Sequence, residues 1–156
     1  MLDAGRKAAL IAILSSMPAA TLIAATSEQV VQDRHTGLAL GGFDPVNYFT
    51  EGKPQTGLAD FETSEAGAVW RFRNSGNLLM FKARPDVYGP QFGGYDPVDV
   101  ARGAPCPGNP QIWLILGQRL YLFSSVNHRD AFVADGKRAL RDAQAQWPTL
   151  RMTLAE

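Results

Sequence analysis

The sequence predicts an α+β fold built from two pseudo-repeats that share one core, and three observations predict it. Gly41-Gly42-Phe43-Asp44-Pro45-Val46 returns 52 residues later as Gly93-Gly94-Tyr95-Asp96-Pro97-Val98. Trp70-x-Phe72, with Phe81 nine residues after Phe72, returns as Tyr121-x-Phe123 with Phe132 nine residues after Phe123. Each copy also carries the same series of signals: an Asp-Pro turn, two alternating apolar runs and a capped helix. The second offset is 51, so one residue is lost inside the repeat, and the copies span 42–91 and 94–143 within a domain covering 41–150. Units of about 50 residues bury too little surface alone, which is why a common core is expected.

Taken in order, the chain begins with Arg6 and Lys7 ahead of a largely apolar run over 8–25, with small residues at Ala24, Ala25, Thr26 and Ser27. That pattern reads as a signal peptide over 1–26. The run is short for a span of about 20 apolar residues, and Pro18 interrupts it. Cleavage is therefore expected, leaving a periplasmic or secreted protein with no stable membrane span; an uncleaved anchor is the rival reading. Residues 27–40 form a polar lead-in arm expected to pack on the first copy, and His35 within it reads as a solvated loop histidine.

In each copy the glycine pair permits a tight backbone, the Asp side chain caps exposed N–H groups, and Pro suits the first helical position. Asp44-Pro45 and Asp96-Pro97 should each open a short helical turn, ended near Gly52 and Gly103. Runs at 61–63 and 68–72 read as a hairpin, followed by a helix capped by Asn74 or Ser75, reaching Ala83 and closed by Pro85. Residues 103–110 are rich in Pro and Gly and read as loop. Strands at 112–116 and 119–123 flank Gly117-Gln118, a Gly-x pair of the type II′ preference. Ser124 or Ser125 should cap a helix over 126–135. After Gly136, a C-terminal amphipathic helix carries Leu140, Ala143 and Trp147, with Pro148 at its end.

A chain 46% hydrophobic and 10% aromatic can bury a core and is not of disordered composition. Fifteen basic and fifteen acidic residues give no net charge, and no basic stripe is present to neutralise phosphates, so nucleic acid is excluded as an expected partner. No Ser-His-Asp order, phosphate-cradling loop or zinc motif occurs. The single cysteine, Cys106, has no partner within the chain. It is a candidate reactive thiol in an accessible loop between two prolines, open to an intermolecular disulfide, to inertness or to a soft metal. Capping already explains Asp44 and Asp96, so neither is assigned to catalysis.

These landmarks resemble the YHS domain in its longer, exported bacterial form: the Gly-Gly-Phe-Asp-Pro-Val-Asn-Tyr-Phe-Thr-Glu-Gly-Lys-Pro block over 41–54, Trp70 and Phe72, the segment 88–95, Pro107-Gly108-Asn109-Pro110, and Trp147-Pro148. The resemblance covers residues 38–150 and implies metal-linked biology, since short YHS units occur in heavy-metal transport ATPases and some oxygenase components. In those units a Cys follows the Asp-Pro-Val and a Cys-x-x-x-Cys pair follows the hairpin. The corresponding positions here are Asn47, Arg73 and Asn77 in the first copy, where a guanidinium opposes a cation. In the second copy they are Asp99, Ser124 and His128. The resemblance thus assigns His128 and Asp99 as metal ligands for a transition metal such as copper, zinc or iron. It implies an exported binding module linked to metal homeostasis or to a partner protein, without catalysis. The alternative is a small periplasmic metal-dependent or thiol redox enzyme. The long form also carries a cysteine after its second Gly-Gly-Tyr, where this chain has Asp96.

Overall fold

Two antiparallel hairpins, each preceded by a glycine turn and followed by a helix, organise the computed structural model, which describes residues 29–155. The expected signal peptide lies outside the described residues. A 3-10 turn at Leu40–Gly42 leads into α1 (Asn47–Thr50), strands β1 (Leu58–Glu65) and β2 (Ala68–Phe72), and α2 (Ser75–Ala83). After α3 (Pro85–Tyr88), the sequence of elements returns: a 3-10 turn at Gln91–Gly94, α4 (Pro97–Val100), β3 (Asn109–Leu116), β4 (Arg119–Phe123) and α5 (Val126–Thr153). Mixed helix and strand is the α+β class that the sequence predicts.

Local geometry recurs where the sequence does. In the first hairpin Leu58 faces Phe72 and Glu62 faces Arg71 across a bulge; in the second Asn109 faces Phe123 and Trp113 faces Leu122 across a bulge. The glycine turns match as well. Leu40, Gly41 and Gly42 have φ of 53°, 60° and 85°, and Phe92, Gly93 and Gly94 have 53°, 61° and 90°. Asn74 caps α2 by accepting from the Asn77 N–H, and Ser125 caps α5 by accepting from the His128 N–H, so one of each expected pair does the work.

Several expectations are corrected. Gly117 and Gln118 both have positive φ, 57° and 60°, which is a type I′ turn and not II′; its twist matches that of the flanking strands. The segment 103–110 is not all loop, because Asn109 and Pro110 begin β3, and the Pro110 carbonyl accepts from the Tyr48 hydroxyl at 2.7 Å. The arm does not pack on the first copy alone. The Val31 N–H donates to Gly93 O at 2.8 Å, and the Leu40 N–H donates to Val31 O at 3.1 Å, so the arm laces the two glycine turns together. Pro148 does not end the last helix. The chain departs from helical angles at Asp135 and then stays helical to Thr153 with Pro148 inside. Losing one backbone bond there costs about 3 kcal/mol, which the packing of Leu150 and Leu154 beyond it offsets.

The core is also divided where one was expected. One cluster holds Val46, Tyr48, Trp70, Phe72 and Phe81; the other holds Tyr95, Val100, Phe132 and Ala143. Strand β4 serves both: Leu120 and Leu122 point into the first, Tyr121 and Phe123 into the second. Alternation on a strand sends successive side chains to opposite faces, so a strand apolar on both faces joins the two clusters.

A Cβ on Gly93 would stand 1.9 Å from the Gln29 carbonyl oxygen at positive φ, whereas one on Gly117 would meet nothing within 4 Å. Gly93→Ala is therefore expected to lower the unfolding free energy by about 2–4 kcal/mol, and Gly117→Asn to change it by less than about 0.5 kcal/mol. Urea unfolding of the two variants checks both values.

Candidate metal centre

Each half buries one carboxylate completely, Asp44 in the first and Asp96 in the second. Their partners correspond. Asp44 Oδ1 accepts from the Val46 N–H at 2.8 Å, while its Oδ2 accepts from the Arg73 N–H at 2.7 Å and the Asn77 Nδ2 at 2.7 Å. Asp96 Oδ1 accepts from the Val98 N–H at 2.8 Å, and its Oδ2 accepts from the Ser124 N–H and hydroxyl, both at 2.7 Å. His128 Nδ1 completes the set, 2.8 Å from the same Oδ2. Each Asp thus ties the start of a short helix to the end of a hairpin and to the first turn of the following helix. The sequence reading of Asp96 as a cap is right and incomplete, whereas Asp44 holds the Val46 N–H in the turn ahead of α1, whose N-cap is Val46 and not Asp44.

The halves diverge at the centre of this arrangement. In the first, Asn77 Nδ2 donates to both Asp44 Oδ2 and Asn47 Oδ1, at 2.7 and 2.8 Å. A neutral amide fills the space, and its hydrogens cannot be surrendered near neutral pH. In the second, His128 replaces that amide and Asp99 replaces Asn47. Nδ1 lies 3.5 Å from Asp99 Oδ2, and Ser124 Oγ lies 3.2 Å from Nδ1 and 3.4 Å from Asp99 Oδ2. Since an ionised carboxylate only accepts, Nδ1 carries the imidazole hydrogen and donates it to Asp96.

The ligand atoms of Asp96, Asp99 and His128 all lie within 4.8 Å of one another. Tetrahedral coordination at 2.0–2.1 Å bonds places donors about 3.3–3.4 Å apart; Nδ1 lies 3.5 Å from Asp99 Oδ2 but 2.8 Å from Asp96 Oδ2, so the latter hydrogen bond would have to open to admit an ion. The site is also reachable: Asp96 is wholly buried, but the side chains of His128 and Asp99 keep 26% and 14% of their surface exposed. Arg102 stands at its rim, with Nη1 4.0 Å from Asp99 Oδ1.

His128 and Asp99, paired in the sequence analysis, do meet. Asp96 is the member of this cluster that sequence reasoning missed. Its signal was present: Asp-Pro-Val-Asp places two carboxylates three residues apart, hence on one side of a helical turn, where the first copy has Asp-Pro-Val-Asn. Cys106 is exposed, as the loop reading expected. However, it is not remote from the other candidates, because its carbonyl accepts from the Asp96 N–H at 2.9 Å and the charges of Asp99 and Asp96 both act on its thiol. Partial burial, followed by the charge and hydrogen bond of Asp99 and the charge of Asp96, raises its pKa. His35 stands apart, in a loop held by the Asp33 carboxylate, which accepts from the His35 and Thr36 N–H groups.

No family model, curated protein or solved structure matches this chain in comparisons with known proteins. The chemistry of the site therefore rests on its own geometry.

Two outcomes are expected. Asp44→Ala strands the buried Asn77 amide and removes the shared acceptor of the Val46 and Arg73 N–H groups, lowering stability by about 3 kcal/mol, measurable by urea unfolding. In metal-free protein, the raised pKa means less thiolate at any given pH. The pH midpoint for iodoacetamide alkylation of Cys106 should lie above that of a free thiol, and Asp99→Asn should move it down.

Proposed function

We propose that this chain is an exported YHS-like binding module, a tandem duplication in which the first half is structural and the second binds a transition metal. The observation that carries the metal reading is the convergence of Asp96 Oδ2, Asp99 Oδ2 and His128 Nδ1 beside Ser124 Oγ. Two carboxylates and an imidazole are borderline-hard donors that suit zinc, copper(II) or iron(II). In the first half the equivalent place is filled by the Asn77 amide, and Arg73 stands at the position of Ser124. The duplication is supported by matching strand registers, matching positive-φ turns and matching carboxylate pins in the two halves.

Export rests on the residues of the leader. Among the described residues, no helix is long and apolar enough to cross a membrane. A binding role in metal homeostasis, or as a partner to another protein, accords with a site in which the sequence offers no established catalytic motif. The metal, held by the buried Asp96 and by His128 on the first turn of α5, would supply positive charge to the carboxylates. Asp99 would present the face open to solvent.

Calorimetric titration of Zn(II) and Cu(II) into chelator-stripped, dialysed protein tests this reading. One equivalent should bind, His35→Ala should match the parent, and His128→Ala should bind at least about tenfold more weakly with an unchanged circular dichroism spectrum. Equal binding by parent and His128→Ala overturns the assignment.

A further inference from the structure

We infer that the cleft between the two halves is a second binding site, and that it takes a small zwitterion with an aromatic body, an amino acid or a short peptide. None of the residues of the carboxylate–histidine cluster lines it, so the inference stands apart from the metal reading.

The cleft encloses about 450 Å³, within the range of about 300–1,000 Å³ usual for small-molecule sites. Its walls come from the first hairpin, α2 and α3, from the second glycine turn, from the arm and from α5. Junctions between structural units are where such sites concentrate. Rings form much of the wall. Trp70 and Phe81 lie tilted with centroids 4.8 Å apart, and Phe92 meets Trp147 edge to face at 5.8 Å. Trp70, Phe81 and Phe92 are almost wholly buried and make the floor. Trp147 is only half-buried, and it is the ring on which a flat ligand can lie.

Charge decides the class of ligand. The ionisable residues of the lining are Glu65, Asp86 and Arg151. Asp86 is already engaged, since its two oxygens accept from Arg84 at 3.1 and 3.2 Å. Glu65 uses its carbonyl, which accepts from Trp70 Nε1 at 2.9 Å, but among the described residues its carboxylate has no partner. Arg151 is oriented without being neutralised. Its Nε donates to Gln29 Oε1 at 3.1 Å, and its carbonyl accepts from Gln29 Nε2 at 3.4 Å. Both Nη groups are left without a carboxylate among the described residues. A guanidinium fixed in this way binds a carboxylate through paired N–H donors and loses little further freedom in doing so. A plain anion would face Glu65, and a plain cation would face Arg151. A zwitterion satisfies both, its carboxylate on Arg151 and its ammonium on Glu65.

Titration of chelator-stripped full chain with L-phenylalanine and with the tripeptide alanyl-phenylalanyl-alanine, followed by calorimetry and tryptophan fluorescence, tests this. At least one should bind saturably, and the tighter of the two shows whether the site is built for an amino acid or a peptide. Phenylpropanoate, which lacks the ammonium, and phenethylamine, which lacks the carboxylate, should bind at least about tenfold more weakly. Arg151→Gln and Glu65→Gln should each weaken the zwitterion to the same extent with an unchanged circular dichroism spectrum. Trp147→Phe should bind by calorimetry while losing most of the fluorescence change. Absence of saturable binding by either zwitterion up to about 10 mM overturns the site. Binding that neither Arg151→Gln nor Glu65→Gln weakens overturns its placement, and phenylpropanoate binding as tightly as L-phenylalanine overturns the zwitterion class.

Discussion

The fold depends on two buried carboxylates, each satisfied entirely from within. A charge withdrawn from water is tolerated only when donors replace the lost hydration. Asp44 and Asp96 meet that condition in the same way, collecting N–H groups from their own helical turn and from the residue that ends each hairpin. Among the described residues, no buried side-chain nitrogen or oxygen lacks a partner. Because the donors come from three separate elements, each carboxylate fixes where its turn, hairpin and helix meet.

That constraint also determines where chemistry can arise. Every buried Asp needs a side-chain donor from the helix that follows its hairpin. In the first half the donor is the Asn77 amide, a permanent hydrogen source that also satisfies Asn47. In the second it is the His128 imidazole, facing a second carboxylate at Asp99. Two substitutions in one frame turn a fixed hydrogen-bond knot into a cluster whose central hydrogen is exchangeable. An amide knot and a carboxylate–imidazole cluster are thus alternatives on the same scaffold.

Packing completes the arrangement. Strand β4 divides its apolar side chains between two clusters, and the arm ties the glycine turns together through Val31. Rings meet edge to face or tilted across both clusters, as Tyr48 does with Trp113 and Phe92 with Trp147. Such pairs add about 0.5–1.5 kcal/mol each beyond the area they bury. The site lies at the first turn of α5, whose later turns reach back over the second cluster through Ala143 and Trp147. His128 lies on the segment before the break at Asp135, which is anchored in that cluster by Phe132 four residues on.

By itself, the sequence determined what depends on neighbours along the chain. Asp-Pro gave the turns, Asn74 or Ser75 and Ser124 or Ser125 the caps, alternating apolar residues the hairpins, and the family resemblance singled out Asp99 and His128. It misjudged Pro148 and the segment at Asn109, because local breaker signals were outweighed by packing and strand pairing that only a folded chain supplies. The hairpin turn type failed for a related reason: Gly-Gln permits either primed turn, and strand twist selects between them. Tertiary structure alone decided that Asp96 joins the donor set, that Cys106 stands beside Asp99, and that the apolar residues form two clusters. The meeting of Asp96 with His128 and the division of the apolar residues join side chains far apart in the chain, and the position of Cys106 depends on the path of its loop; no local pattern encodes either.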